Sequence, residues 1–335
     1  MKTAVVILNW NGKKFLEQFL PAVIKHSADA TVFVADNGST DDSVSFLQQN
    51  FPEVSIVSSQ ENKGFAGGYN KALKNVKADY FILLNSDVEV TEGWIKPIID
   101  LMDSDKTIAA CQPKIRMYAD KKLFEYAGAA GGFIDKYGYP FCRGRVFETL
   151  EEDKGQYNDN REVFWATGAC MFVRSDAFFE AGGFDEEFFA HMEEIDLCWR
   201  MKNLGHRIMY CGGSTVYHVG GGTLKKSNPL KTYLNFRNSL MILIKNTEGI
   251  KLFRVLLIRA VLDNVAQLKF MLSGNFRDCI AVQKAQFYVF FHYFIIRKKR
   301  RAVKENVSGI YNRSIVADYF LRGKKKFSDL RFLQK

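Results

Sequence analysis

Tyr80-Phe81-Ile82-Leu83-Leu84-Asn85-Ser86-Asp87 is an unbroken apolar run that ends at once in an amide, a hydroxyl and a carboxylate. A short run without alternation fits a strand covered on both faces, as in a parallel sheet, although periodicity alone leaves a buried helical segment open. Its short length and β-rich flanks favour the strand. In open α/β sheets ligands are met beyond the carboxyl ends of the strands, so such a strand would deliver Asp87 to a metal or a substrate. Read in isolation, the same three polar residues also make an ordinary turn.

Upstream, the pattern of this stretch repeats. Ala4-Val5-Val6-Ile7-Leu8 reads as a first strand ending at Asn9-Trp10-Asn11-Gly12, and Phe15, Leu16, Phe19 and Leu20 follow at helical spacing. Thr31-Val32-Phe33-Val34-Ala35 is a second strand, ending in the turn formers Asp36-Asn37-Gly38-Ser39-Thr40-Asp41-Asp42-Ser43. Ser39 or Thr40 is expected to cap the next helix, whose acidic first turn suits the helix dipole. A third strand over 54–57 leads into Glu61-Asn62-Lys63-Gly64-Phe65-Ala66-Gly67-Gly68-Tyr69-Asn70, where glycines allow close backbone approach and Lys63 or the helix start could receive phosphate. Four βα units with polar tips describe a doubly wound nucleotide-binding half of an α/β protein. No Gly-x-Gly-x-x-Gly follows a strand and no Gly-Lys-Ser/Thr loop occurs, which argues against hydride transfer and ATP hydrolysis.

The 335 residues and 47% apolar content allow one large core with an appendage. Cys111, Cys142, Cys170, Cys198, Cys211 and Cys279 show neither metal-ligand spacing nor a short disulfide framework, so a reducing compartment is expected. The first strand meets Asn9 too early for the apolar core of a signal peptide, and a cytoplasmic location is expected. Residues 1–224 carry 23 basic and 31 acidic side chains, a net of −8, whereas 225–335 carry 24 and 6, a net of +18. Two parts with different partners follow from that asymmetry.

In order and spacing, Asp36-Asn37-Gly38-Ser39-Thr40-Asp41, Asn62-Lys63-Gly64-Phe65-Ala66-Gly67-Gly68-Tyr69-Asn70 and Asn85-Ser86-Asp87 resemble the nucleotide-sugar motifs of family 2 glycosyltransferases. The likeness is greatest to the bacterial branch that includes rhamnosyltransferases of surface-polysaccharide assembly. The resemblance implies a GT-A fold and a strand-end acid that holds a divalent cation, Mg²⁺ or Mn²⁺, on the donor diphosphate. Asn85 replaces the first acid of the commoner Asp-x-Asp, which leaves the ligand role to Asp87. The resemblance further implies that Asn9 and Asp36, with Asn37 and Ser39, meet the base or ribose, and that Lys63, Gly64, Asn70, Asn85 and Ser86 complete the donor site.

Downstream, Trp165-Ala166-Thr167-Gly168-Ala169-Cys170 and Gly182-Gly183-Phe184-Asp185-Glu186-Glu187-Phe188-Phe189 look like the family's acceptor-side segment. Glu193-Glu194-Ile195-Asp196-Leu197-Cys198-Trp199-Arg200 resembles its catalytic acidic helix, with Glu194 where Asp is usual. On a helix Glu193, Asp196 and Arg200 fall on neighbouring faces while Glu194 points about 100° from Glu193. Either Glu194 or Asp196 could be the base, and alignment with the motif favours Glu194. The bland alternative is that these acids only pair with Arg200, Lys202 or Arg207 on a solvated face. Apolar neighbours, Leu197, Trp199 and Phe188-Phe189, argue instead for burial, which raises a carboxylate toward a base's useful range. A histidine such as His218 is more often a core group than a ligand. The resemblance implies that His218 joins Asp87 on the cation, a mixed oxygen and nitrogen set suited to Mn²⁺ or Mg²⁺. Gly220-Gly221-Gly222 would then give a loop able to close over the nucleotide. The glycine-rich, then acidic segment 128–153 offers no choice between an acceptor-facing flap and a surface excursion.

From Pro229 the pattern is helical and basic. The longest stretch free of Asp, Glu, Lys and Arg is 285–296, too short for a spanning helix of about 20 residues. Amphipathic helices lying on an anionic membrane, helped by Arg297-Lys298-Lys299-Arg300-Arg301 and Lys324-Lys325-Lys326, fit better. Such a face would place the protein on the inner side of the cell membrane, where lipid-linked acceptors reside. An ordinary helical subdomain or a homo-oligomer interface is the plainer use, and nucleic acid is disfavoured by the apolar content.

The expected protein is thus a metal-dependent, inverting glycosyltransferase over 1–224 with a basic helical region over 225–335. It would move one sugar from a nucleoside-diphosphate sugar to a glycan or lipid-linked acceptor. The resembling family's processive members carry a later Gln-x-x-Arg-Trp, absent here. Two rivals stand beside it. A sugar nucleotidyltransferase should open with a glycine-rich, basic pyrophosphate loop, which Asn9-Trp10-Asn11-Gly12 is not. A non-catalytic membrane-bound polysaccharide-assembly scaffold would need the acids to be structural.

Overall fold

The computed structural model describes residues 2–220, 228–301, 303, 304 and 307–332. The strand that opens the sequence reading is real. β1 (Thr3–Asn9), β2 (Thr31–Asn37), β3 (Ser55–Ser59) and β4 (Tyr80–Asn85) form a parallel set in the order β3-β2-β1-β4. Both faces of this set are covered. Val5, Ile7, Tyr80, Ile82 and Leu84 enter one apolar cluster and Ala4, Val6, Phe81 and Leu83 the other. That two-sided burial explains why β1 and β4 carry continuous apolar runs rather than an alternating pattern.

The helices follow the strands as the spacing predicts. α1 (Lys13–His26) buries Leu16, Phe19, Leu20 and Val23, and α2 (Ser43–Asn50) and α3 (Gly64–Leu73) follow β2 and β3. One expectation fails here. The helix after β2 begins at Ser43, not after Ser39 or Thr40, because Asp41 accepts from both the amide and the hydroxyl of Ser43. Ser39 instead accepts from the Asn9 side chain and the Asn11 amide, which ties the tip of β2 to that of β1.

Beyond β4 the sheet turns mixed. β5 (Val88–Val90), α4 (Lys96–Ser104) and β6 (Ile108–Met117) come next in the chain. A small second sheet follows, made of β7 (Gly132–Asp135), β8 (Pro140–Cys142), β9 (Arg145–Val146) and β10 (Thr149–Leu150). β11 (Asn160–Glu162), β12 (Cys170–Arg174) and β13 (Arg207–His218) return to the main sheet, whose order is β11-β13-β6-β12-β4-β1-β2-β3, with β5 pairing β13. β12 runs antiparallel between β4 and β6. The antiparallel β5 to β13 pairing sets His218 opposite Val88, one residue past Asp87.

α5 (Ser175–Glu180) and α6 (Glu193–Leu204) precede β13, and α7 (Pro229–Asn246), α8 (Gly249–Leu272), α9 (Phe276–Lys298), β14 (Ile310–Tyr311) and α10 (Ile315–Phe320) follow it. The expected boundary at 224/225 and the residues Gly221 and Gly222 lie outside the described residues. From Pro229 onward the chain does not stand apart. Leu240 to Ile244 of α7 join the main apolar cluster, and β14 pairs with β7, so the second sheet is completed from about 175 residues downstream. Phe327 and Phe332 pack on Phe133 and Phe141.

α9 is 23 residues long with a mean hydropathy of 1.2 in its most apolar window, long and apolar enough to cross a membrane by length and composition. It nevertheless packs along α7 and buries Ala281, Val282, Ala285, Val289 and Ile296. The other side of the α8 and α9 pair is a broad apolar face, with Phe290 75% and Phe294 72% exposed.

Candidate active site

Asn9, Asn37 and Asn85 end three adjacent parallel strands, so one edge of the sheet gathers the polar tips. Asn9 is fully buried; its side-chain amide donates to Asp36 at 3.1 Å and to Ser39 at 3.2 Å. The Asn9 Oδ1 has no partner among the described residues, and it lies close enough to Gly12 that a Cβ there would meet it at 2.5 Å and Ser86 Oγ at 3.4 Å. A buried acceptor without a donor is the kind of group a ligand satisfies.

Asn37 organises the next turn. Its side chain donates to the Gly64 carbonyl at 2.9 Å and accepts from the Lys63 amide at 3.1 Å. Gly64 has φ of +68°, and a Cβ there would strike the Phe189 carbonyl oxygen at 2.5 Å, so only glycine permits this approach. The Phe65 amide donates to that same carbonyl at 2.7 Å, joining the donor-side turn to the acceptor-side loop. Lys63 is partly exposed and pairs with Glu61 at 3.5 Å, a weak surface contact that a phosphate would readily replace. Asn70 does not reach toward a ligand as expected. Its side chain donates to the Phe184 carbonyl and accepts from the Phe184 amide, which spends both amide atoms on holding the Gly182-Gly183-Phe184 turn.

Asp87 and His218 meet as the resemblance implied, with Nε2 of His218 3.1 Å from the Asp87 carboxylate. Glu125, which the sequence reading missed, faces the other ring nitrogen at 3.4 Å. All three are nearly buried. Burial alone would lower His218, but Asp87 first and Glu125 second raise it to about 10. Among the described residues no group of three potential ligands is arranged for a metal. The residues that would hold a cation are Asp87 and His218, joined to each other by a hydrogen bond through Nε2, with Glu125 3.4 Å from the far side of the ring. Glu125 lies just before the unassigned segment 128–153 and in no motif that the sequence offers, so no local signal singled it out.

The acceptor side is built by strain. Phe189, His191 and Met192 all have positive φ, at 62°, 69° and 73°, an arrangement that persists only when the surroundings impose it. The surroundings are Asn238, whose side-chain amide donates to the carbonyls of Phe188, Ala190 and His191, and Arg237, which donates to those of Glu187 and Phe188. Both lie on α7 and neither was anticipated. The strained loop releases α6 with Glu193 and Glu194 at its first turn, where the helix dipole favours carboxylates.

The three acids of α6 have different surroundings. Asp196 is fully buried and accepts from Arg200 at 2.8 Å, Lys245 at 2.9 Å and Asn246 at 3.1 Å. Burial would raise it, but Arg200 and Lys245 hold it at about 2. A carboxylate so engaged is a poor base. Glu193 is buried with Oε2 unpartnered, and burial, then the neighbouring charge of Glu194, push it well above the ordinary value. Glu194 Oε2 is likewise buried without a partner among the described residues, and burial raises this carboxyl to about 7. The Cys142 thiol is raised to about 12 by burial, with the Arg145 charge opposing.

Comparison with known proteins gives a consistent picture. The family model for "Glycosyl transferase family 2" matches residues 4–180. The chain is 28% identical over 231 residues to the N-acetylglucosaminyl-diphospho-decaprenol L-rhamnosyltransferase of Mycobacterium tuberculosis, covering 64% of this chain and 75% of that one. Among solved structures it resembles GalNAc-T7 with UDP, GalNAc and Mn²⁺, at a TM-score of 0.58 and 16% identity over 75% of this chain and 49% of that one. It also resembles S. aureus TarS in complex with UDP-GlcNAc, at 0.55 and 15% identity over 89% and 91%. At such identities these two likenesses show the GT-A fold alone.

Proposed function

The chain belongs to family 2 of the glycosyl transferases, and on that footing we propose that it is an inverting enzyme moving one sugar from a nucleoside-diphosphate sugar to a hydroxyl of a diphospholipid-linked glycan acceptor in surface-polysaccharide synthesis. What carries this reading is the division of labour among acids. Asp196 is locked in ion pairs, while the buried Oε2 of Glu194 has no partner among the described residues and burial raises that carboxyl to about 7. Separation of environments in this way marks the acid that works and the acid that holds structure.

Asn9, Asp36, Asn37 and Ser39 frame the base and ribose, and Gly64 lets the backbone close on the donor. Lys63, with Asn85 and Ser86 at the strand tip, meets the phosphates, Lys63 leaving Glu61 to do so. Asp87 and His218 Nε2 would hold Mg²⁺ or Mn²⁺, which when bound neutralises charge on the departing diphosphate. Glu194 takes the proton of the acceptor hydroxyl as that oxygen attacks the anomeric carbon from the face opposite the leaving group. Glu193, raised well above the ordinary carboxylate range by burial and by the charge of Glu194, resists a second negative charge beside the base. A lipid-linked acceptor is supported by the N-acetylglucosaminyl-diphospho-decaprenol L-rhamnosyltransferase relative and by the exposed apolar face of α8 and α9, which suits peripheral contact with an anionic membrane.

The test is release of nucleoside diphosphate from a panel of nucleotide sugars, with Mn²⁺, Mg²⁺ or EDTA, in the presence of membrane lipid extract. Release from one donor, lost with EDTA and in Asp87→Ala, is the expected result. Equal release by wild type and by Glu194→Gln would overturn the assigned base. Absence of both release and binding for every donor would overturn the transferase reading in favour of a scaffold.

A further inference from the structure

A groove of about 540 Å³ runs between the start of α7 and one face of α9. This is the size of a small-ligand site. The α9 wall is a single stripe, Arg277, Ile280, Lys284, Phe287 and Phe291, at alternating three- and four-residue steps that keep the side chains on one helical face. Tyr233 stands opposite on α7. The stripe is thus cationic toward its start and aromatic toward its end.

The two cations are distinguished by their lack of partners. Lys245 and Lys299 are engaged with Asp185, and Arg237 with the 187–188 backbone. Arg277 and Lys284 have neither an ion pair nor a hydrogen bond among the described residues. The nearby carboxylate of Asp278 is turned away, accepting from Thr232 at 2.6 Å. Two turns of helix separate Arg277 from Lys284, about 10 Å of axis, which two long side chains can close onto one diphosphate.

The groove also points both ways. Tyr288, on its wall, donates to Glu187 at 2.6 Å, and Arg237 lies over the rings of Tyr233 and Tyr288, so the inner side touches the strained loop that carries Glu193 and Glu194. Lys231, next to the lining residue Leu230, lies over the ring of Tyr126, the neighbour of Glu125. The outer end, Phe287 and Phe291, merges with the exposed Phe290 and Phe294. A ligand that fits has an anionic head toward the active site and a long apolar tail leaving toward that face.

We propose that this groove binds the isoprenoid diphosphate part of the acceptor, with Arg277 and Lys284 on the diphosphate and Tyr233, Ile280, Phe287 and Phe291 along the first prenyl units. The assignment deepens the acceptor reading above and rests on it for its biological meaning, but its binding test stands alone. Farnesyl diphosphate, inorganic diphosphate and farnesol are titrated calorimetrically into the full chain below their aggregation limits, with a nucleotide-sugar panel titrated in parallel. Farnesyl diphosphate is expected to bind at least tenfold more tightly than either control. Arg277→Ala with Lys284→Ala should weaken it at least tenfold, and Phe287→Ala with Phe291→Ala should weaken farnesyl diphosphate while leaving inorganic diphosphate unchanged. Nucleotide-sugar affinity should be unaltered in both variants, which also reports that they fold.

Wild-type affinity in both variants, or competition between farnesyl diphosphate and nucleoside diphosphate for one site, overturns the inference. Tight binding to anionic vesicles that farnesyl diphosphate cannot displace makes the face a general membrane contact and overturns it as well. Nucleotide-sugar binding without farnesyl diphosphate binding defeats the groove and leaves the transferase. The reverse keeps the groove and defeats the transferase.

Discussion

Glu194 and Asp196, two residues apart on α6, have been driven to opposite ends of the carboxylate range, and the difference is a matter of neighbours. Asp196 has three donors and sits at about 2; Glu194 has none at Oε2 and sits at about 7. Two predictions follow at this scale. Glu194→Gln should lower kcat by roughly 10²–10⁴-fold, and the wild-type rate should rise with pH through about 7, a limb absent from the variant's residual rate; a steady-state pH profile checks both. Stability should move the other way. A carboxylate raised in the folded state destabilises it as pH climbs from the unfolded value of about 4.5 toward 7, so Glu194→Gln should raise the melting temperature at pH 8 and leave it unchanged near pH 4.5. The gain is on the order of 3 kcal/mol. Asp196→Asn should do the reverse, costing about 3 kcal/mol at neutral pH, because buried Arg200 loses its only carboxylate among the described residues and buried Lys245 keeps only Asp185. A denaturant midpoint separates the two variants.

α7 sets the geometry of an element it does not adjoin in sequence. Three carbonyls of the 188–191 segment converge on the single amide of Asn238, and without that donor the positive φ values of Phe189, His191 and Met192 have little to impose them. Asn238→Ala is therefore expected to cost about 1–3 kcal/mol and, beyond that, to reduce kcat several-fold at temperatures where the variant is folded, with nucleotide-sugar affinity kept. Parallel measurement of kcat and donor affinity decides it; loss of both together would mean that Asn238 merely stabilises. The opposite contact has its own test. Gly64→Ala brings a Cβ to 2.5 Å from the Phe189 carbonyl oxygen at a positive φ, and both donor binding and turnover should fall.

At the scale of the whole molecule the basic half is not an appendage. α7 lies in the main core, β14 finishes the second sheet, and Lys245 with Lys299 anchors Asp185. Truncation after residue 224 should thus give an insoluble or unfolded product rather than a free catalytic domain, which expression and circular dichroism would show. The same half exposes the aromatic face of α9. Phe290→Ser with Phe294→Ser should reduce cosedimentation with anionic vesicles while leaving donor hydrolysis in detergent unchanged, because neither side chain is packed on the core.

The sequence alone determined the parallel half of the sheet, since two-sided burial writes itself as unbroken apolar runs at 4–8 and 80–84, and each run had to end in polar residues at one edge. It also determined the order of the donor motifs, because a motif is a local pattern that survives translation into structure, whereas the approach of Asp87 to His218, 131 residues apart, was only implied by the family resemblance. It did not determine the part played by Glu125, Arg237 or Asn238, nor the closing of the second sheet by Ile310 and Tyr311, nor which acid of α6 stays free. Each of those depends on a partner between 49 and 176 residues away. Charge and hydrogen bonding act through space, and only the folded chain says which donor stands beside which carboxylate.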